Sequence, residues 1–205
     1  MIEKVAAAAG SSVSRETMER LEHYVHLLLD ENNRQNLIAA STAEDVWMRH
    51  VVDSAQLLRF MPAGRHLDVG SGAGLPGLVL TILSEAPITM VEPRRLRAEF
   101  LQRCINELDL RHATVQQAKV ERVSGKFDTI TARAVAAIER LFAVAHHLSH
   151  PQTVWVLPKG RSGQMELAAA RSSWQGHFRT EPSITEGEAV IVIASGVSPR
   201  RKGRG

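Results

Sequence analysis

The chain has 205 residues, 44% of them hydrophobic, and a formal net charge of +3, which suits one domain large enough to bury a core without staples. No apolar run approaches the ~18 residues of a membrane span, and the stretch through Gly10 is too short and too weakly apolar for a signal peptide. The single cysteine, Cys104, has no internal disulfide partner, which points to a reducing, cytoplasmic setting.

Residues 1–13 read as a frayed end. From Ser14, a plausible helix cap, apolar residues recur at helical spacing as Met18, Leu21, Val25, Leu28 and Leu29. The polar run Asp30–Asn36 closes that helix. Ser41-Thr42-Ala43-Glu44 has capping-box spacing and predicts a second helix carrying Val46, Trp47, His50, Val51, Leu57 and Leu58. Pro62-Ala63-Gly64 breaks it, so a helical section, residues 1–62, precedes everything else.

A short apolar segment, His66-Leu67, then enters Asp68-Val69-Gly70-Ser71-Gly72-Ala73-Gly74-Leu75-Pro76-Gly77, and an apolar helix follows from Leu78. Strand, glycine loop and helix in that order form a nucleotide-type site, because glycines let backbone approach a ligand and a helix start offers free N–H groups. The loop contains a literal G-x-G-x-x-G with Glu92 ~20 residues on, as dinucleotide binding requires. It also contains the fuller D-x-G-x-G-x-G, which looks like the first motif of class I S-adenosylmethionine-dependent methyltransferases. Both ligands place an acid on a ribose, so Glu92 does not choose between them.

After the loop, element types alternate regularly. Ile88–Glu92 reads as a strand, Pro93 starts a helix carrying Leu96, Phe100, Leu101, Cys104, Ile105 and Leu108, and Ala113–Gln116 is a short strand. Phe127–Ala132 is a firmer strand, followed by a helix from about Ala137 to Leu148, a strand Thr153–Leu157 and a weaker helix Gln164–Trp174. Gly176–Pro182 and Ala189–Ile193 read as paired terminal strands. This is α/β: a mostly parallel sheet with helices on both faces, in a single unit of residues 1–205 whose core is 63–196 and whose end, 197–205, is a basic tail. Arg200, Arg201, Lys202 and Arg204 supply that tail, and without them 21 basic face 22 acidic residues. Ligands of such sheets bind beyond the strands' carboxyl ends, where Asp68, Glu92, Lys119–Glu121, Arg133 and Lys159 fall.

Taken together, Asp68–Gly77, Val91-Glu92, Lys119-Val120-Glu121 and Phe127–Ala136 resemble the RsmG (GidB) family of small-subunit ribosomal RNA methyltransferases. Asn36-Leu37-Ile38, Arg49–Ser54 and Leu157-Pro158-Lys159-Gly160 extend the resemblance over roughly residues 30–195. It implies a Rossmann-like class I methyltransferase with a seven-stranded sheet, S-adenosyl-L-methionine as cofactor, and transfer to N7 of a guanosine in 16S ribosomal RNA or the small subunit. Gly70, Gly72, Gly74 and Leu75 would line the cofactor, Glu92 would hold its ribose, and Val120 and Glu121 would flank its adenine. Arg133 would stand at the active site beside cofactor and RNA. Lys119 departs from the family's more usual arginine, which keeps the charge and loses the planar fork.

The residues agree with N7 chemistry through what they lack. N7 has no proton to remove, so a general base is not required. The one cysteine sits on an apolar helix face, where a pyrimidine C5 methyltransferase needs a nucleophile. Thr131-Ala132-Arg133-Ala134 stands where exocyclic-amine methyltransferases carry Asn/Asp-Pro-Pro-aromatic, and no metal-ligand spacing occurs among nine histidines. Arg133 can bond guanine or phosphate, while Lys159, Arg200 and Arg201 are further RNA contacts expected from charge and position. His50 and Asp53, at i and i+3, share a helix face, where they either support each other, the favoured reading, or approach the cofactor's amino-acid end. A monomer is expected. The rival readings are a non-catalytic ribosomal-RNA-binding assembly factor and an NAD-dependent oxidoreductase, the latter without an evident hydride-transfer set.

Overall fold

The structure, a computed structural model, describes residues 1–200. The amino-terminal section comprises α1 (Ile2–Ala9), α2 (Arg15–Gln35), α3 (Ala40–Ala43), a π-helical turn Trp47–Val52, α4 (Asp53–Ala55) and a 3₁₀ segment Gln56–Phe60. Beyond it run β1 (His66–Val69), α5 (Gly77–Leu83), β2 (Ile88–Val91), α6 (Arg95–Glu107), β3 (Ala113–Gln116), a 3₁₀ turn Val120–Arg122 and β4 (Phe127–Thr131). The last elements are α7 (Ile138–Ala145), β5 (Ser149–Lys159), α8 (Gly163–Ala170), β6 (Trp174–Pro182) and β7 (Val190–Pro199).

The seven strands form one sheet in the order β3-β2-β1-β4-β5-β7-β6. The first five are parallel, and β7 lies antiparallel between β5 and β6. Short apolar strands suit this interior position, because parallel sheets are covered on both faces: all four residues of β1 are buried. Strand order reverses between β1 and β4, the switch point at which such sheets open a crevice.

Two cores flank the sheet, and strand alternation divides the side chains between them. Ile88, Met90, Val156, Ile191 and Ile193 face α5, α6 and the amino-terminal helices. Leu67, Val69, Ile130, Trp155, Leu157 and Val192 face α7 and α8. On that second side Phe142 meets Trp155 edge-on at 5.0 Å and Trp174 at 5.6 Å, geometries that add to the area these rings bury.

The amino terminus differs from its sequence reading. Residues 2–9 are helical, with Val5 and Ala8 fully buried against the Trp47–Phe60 segment. Alanines give little hydrophobic signal, yet their small size lets a helix pack closely. Ser14 does cap α2, accepting from the Thr17 N–H at 3.0 Å. The capping box at Ser41 does not form: α3 begins at Ala40 without a side-chain cap. The second helix is broken into four short pieces, one of them the π turn, a feature often found at functional sites. Pro93 lies outside its helix, which starts at Arg95 because Glu92 accepts the Arg94 N–H and holds that residue extended. Trp174 opens β6 rather than ending a helix, and β7 carries the fold to Pro199, three residues into the expected tail.

Candidate functional site: a glycine loop and an adjoining charged cavity

The parallel strands bring the loops after β1 through β5 to one edge. Gly70, Gly72 and Gly74 take φ of +67°, +53° and +87° there, conformations that side chains other than glycine adopt at a cost. Gly70 and Ser71 donate their N–H groups to the Val91 carbonyl. Gly72 donates to Glu92 Oε2 at 2.9 Å, while Glu92 Oε1 takes the Arg94 N–H at 2.8 Å. Glu92 is 3% exposed and thereby ties the glycine loop to the start of α6. From outside, the buried Tyr24 hydroxyl of α2 donates to the Ala73 carbonyl at 2.8 Å. Leu75 is buried in the core, so it can offer a ligand mainly its backbone.

A polar chain runs beneath this loop. The Thr131 hydroxyl donates to Asp68 Oδ1 at 2.7 Å, so the His66 Nε2–H donates to Thr131 Oγ1 at 2.9 Å. All three residues are buried. Burial lowers the His66 pKa to about 3 and raises that of Asp68 to about 6. Asp68 Oδ2 has no hydrogen-bond partner and lies 2.7 Å from where a side chain at Gly77 would begin.

Next to the loop lies a cavity of about 680 Å³, lined among others by Asp53, Arg133, Lys159, Thr185 and Glu186. The glycine loop and Glu92 do not line it. Val135 stands between the two regions, on the cavity wall and against Gly70, whose missing Cβ would sit 2.7 Å from Val135 Cγ2. The preceding Ala134 has φ +55°, a left-handed conformation costing roughly 1–2 kcal/mol for a residue with a Cβ. Its neighbours are held in place: Lys159 Nζ donates to the Ala136 carbonyl at 2.6 Å, and Glu166 Oε2 accepts the Ile138 N–H at 3.2 Å.

Arg133 follows β4 into this cavity and meets the π turn. Its Nη1 donates to the Arg49 carbonyl at 3.3 Å and to Asp53 Oδ2 at 3.2 Å, and its Nη2 donates to His50 Nδ1 at 3.1 Å. Accepting there fixes the His50 tautomer, so Nε2–H donates to Thr42 Oγ1 at 3.0 Å. Burial, with Arg133 beside it, brings the His50 pKa down to about 4. Asp53 Oδ1 accepts from Gln56 Nε2 at 2.9 Å and from the Thr185 hydroxyl at 2.7 Å. One carboxylate therefore joins Arg133, the amino-terminal section and the β6–β7 turn.

The sequence-predicted residues thus fall into two groups. Gly70, Gly72, Gly74, Leu75 and Glu92 belong to the loop. Val120, half-buried, and Glu121, exposed, occupy the turn after β3 on the same edge. Arg133 lies on the cavity wall. Lys159 also reaches the cavity but is 10% exposed and paired with Glu166 at 2.9 Å, so it would reach a phosphate only by giving up these partners. Arg200 stands elsewhere. β7 pairs Val190 with Lys159 and then runs away from the site, and Arg200 bonds the Arg171 carbonyl at 2.7 Å beyond the opposite edge. Arg201 lies outside the described residues. Tyr24 and the 183–186 turn had no sequence signal beyond residue type, while Asp53 and Val135 fall within the family-like stretches Arg49–Ser54 and Phe127–Ala136, which did not disclose the hub or the wall.

These residues fit the expected cofactor on three observations. Gly72 presents bare backbone, where a Cβ would meet only Arg97 Nη1 and the Gly70 carbonyl, both at 3.7 Å. Asp68 Oδ2 is an unpartnered buried acceptor, and each Glu92 oxygen has accepted a single N–H, leaving lone pairs for hydroxyls. Among the described residues, no group of three His, Cys, Asp or Glu side chains is placed to hold a metal ion.

Comparison with known proteins adds to this picture. Residues 17–190 match the model of the GidB family, described as rRNA small subunit methyltransferase G. The chain is 50% identical over 198 residues to the ribosomal RNA small subunit methyltransferase G of Rhizorhabdus wittichii, covering 94% of this chain and 91% of that one. It is 44% identical to its namesake in Sphingopyxis alaskensis (93% and 84% covered) and 41% identical to that of Zymomonas mobilis (94% and 92%). Among solved structures, the glycopeptide N-methyltransferase MtfA with S-adenosyl-L-methionine aligns at TM-score 0.61 and 10% identity, covering 71% and 86%. A mutant of MtNAS in complex with S-adenosylmethionine aligns at TM-score 0.58 and 17% identity, covering 87% and 75%. The fold is that of the class I S-adenosylmethionine-dependent methyltransferases.

Proposed function

Because the chain belongs to the rRNA small subunit methyltransferase G family, we propose that it methylates N7 of a guanosine in 16S ribosomal RNA with S-adenosyl-L-methionine. Family membership over residues 17–190 carries the reading. When bound, the cofactor supplies a methyl group on a positively charged sulfur. Gly70, Gly72 and Gly74 would hold it through backbone, Glu92 through its ribose hydroxyls, and the Val120–Glu121 turn along its adenine.

The cavity beside the loop suits a base that needs no deprotonation. His50 uses both ring nitrogens in hydrogen bonds, and Asp53 and Glu166 are bound by cations. None of these three is free to take a proton; Glu186, paired with Arg49 through one oxygen, is the exception. Catalysis would then rest on holding N7 in line and on placing charge where it changes. Arg133 is suited to holding the base, since three partners fix its fork and its cation can bond the guanine O6 or a phosphate. Transfer to N7 would leave the base positively charged as the sulfur loses its charge, so the net charge of the site would not change, Asp53 being already paired with Arg133.

In this reading, residues 1–205 act as one unit, the amino-terminal helices cover the glycine loop, and the enzyme works as a cytoplasmic monomer on the small subunit or its RNA. No helix of the described residues is long and apolar enough to cross a membrane. The test is labelled S-adenosylmethionine with small subunits lacking the modification, followed by chemical cleavage at N7-methylguanosine. One break in 16S RNA is expected. Label in another base, or in protein, would overturn the assignment.

A further inference from the structure

We propose that Glu186 selects the acceptor base, accepting hydrogen bonds from the Watson–Crick edge of a guanine inserted into the cavity. The inference rests on the function proposed above and names the residue that would choose the purine.

Three carboxylates line the cavity: Asp53, Glu166 and Glu186. Both oxygens of Asp53 have partners, Oδ1 in Gln56 and Thr185 and Oδ2 in Arg133. Glu166 accepts from Ser162 through Oε1, and from Lys159 and the Ile138 N–H through Oε2. Glu186 differs. Its Oε2 lies 3.2 Å from Arg49 Nη2, both side chains about 40% exposed, and its Oε1 has no partner among the described residues. The Arg49 guanidinium holds one oxygen of this group and leaves the second without a partner among the described residues.

Its place in the fold matches the orientation the reaction demands. N7 must face the glycine loop after β1, from which the methyl group comes. The N1–H and the 2-amino group lie on the Watson–Crick edge, which adjoins the N7 edge at O6 and turns away from it. In the sheet order β3-β2-β1-β4-β5-β7-β6, the turn between β6 and β7 is at the far end from the cofactor half, and Glu186 sits on that turn. A carboxylate there can accept from both N1–H and the amino group of guanine. Adenine offers a lone pair at N1 instead, which the carboxylate repels. The cavity volume, about 680 Å³, falls within the range of small-ligand sites and admits a purine nucleotide.

The experiment compares small subunits reconstituted with guanosine or inosine at the methylated position. Inosine keeps N7 and N1–H and lacks the amino group. Wild type should lose about tenfold in kcat/KM on inosine, the scale of one good base contact. Glu186→Ala should lose about tenfold on guanosine and show no further loss on inosine, so that the preference disappears. Cofactor affinity measured on the same preparations reports whether the variant is folded. Should Glu186→Ala fail that check, Glu186→Gln, which keeps the volume and a single acceptor, should cut the preference to about twofold. An unchanged preference for guanosine over inosine in the folded variant overturns the inference, whatever its absolute rate. Absence of transfer by wild type to guanosine-bearing subunits would instead overturn the function on which the inference rests.

Discussion

The two halves of the site are made of different materials. The β1–β2 half is built from backbone: glycine N–H groups, the Val91 carbonyl and one buried carboxylate, Glu92, that receives two main-chain N–H groups. The β4–β5–β7 half is built from charged side chains, Arg133, Lys159, Asp53, Glu166 and Glu186, bonded across 80 residues of sequence in the case of Arg133 and Asp53. Backbone pinned to adjacent strands presents the same groups whatever substrate arrives. Ion-paired side chains can exchange a protein partner for a base or a phosphate. The fixed half suits an invariant small molecule and the exchangeable half a large acceptor.

That contrast can be broken at the acceptor side first. Arg133→Ala should leave the fold and cofactor affinity close to wild type and lower kcat by about 100-fold or more, the scale of losing one preorganised donor. Near-normal turnover on subunits would remove Arg133 from the active site.

Acid titration sharpens the comparison, because each half contains a buried neutral histidine. His66 under the loop and His50 beside Arg133 have pKa values of about 3 and about 4, below the ordinary 6.5. Their contribution to stability is complete above pH 6.5 and is lost as pH falls through those lowered values. Asp68, raised to about 6 from 3.8, acts the other way, its contribution being lost as pH rises from about 4 to 6. Between pH 6 and 4, His50→Gln should flatten the dependence of unfolding free energy on pH by about 1.4 kcal/mol per unit, and Asp68→Asn should steepen it by as much. Denaturant melts at half-unit intervals would detect either change, and parallel curves would refute the assigned protonation states.

Smaller effects are expected on the cofactor side. Gly70→Ala combines a positive φ with a contact to Val135 that must yield, at a cost of about 1–2 kcal/mol. Its cofactor affinity should fall, and calorimetric titration measures it. Tyr24→Phe leaves the Ala73 carbonyl without its donor, costing about 1 kcal/mol and a few-fold in cofactor affinity. A loss in RNA binding rather than cofactor binding would show that α2 serves the acceptor instead.

Sequence was a better guide to the first half than to the second, for a physical reason. A glycine loop between two apolar segments is local information, and so is an acid at the end of the next strand. Regular alternation of strands and helices then placed Asp68, Glu92 and Arg133 at one edge. The partners of Arg133 lie about 80 residues upstream, and nothing local to His50 or Asp53 announces that they meet a residue after β4. Spacing put those two on one helix face, but the turn is π-helical and both reach outward to Arg133 rather than to each other. Lys159 looked like a free cation because its acid, Glu166, stands seven residues on in a helix whose pattern was weak. At the amino terminus, four alanines concealed a helix that packs through smallness.

The reversed course of β7 also has a practical side. Since that strand starts beside Lys159 and finishes beyond the opposite edge, where Arg200 is fastened to the Arg171 and Trp174 carbonyls, a label or sensor-chip linkage joined near Arg200 attaches behind the working face. Protein immobilised this way presents its open edge to ribosomal particles in solution, whereas a label joined at the 183–189 turn would obstruct it.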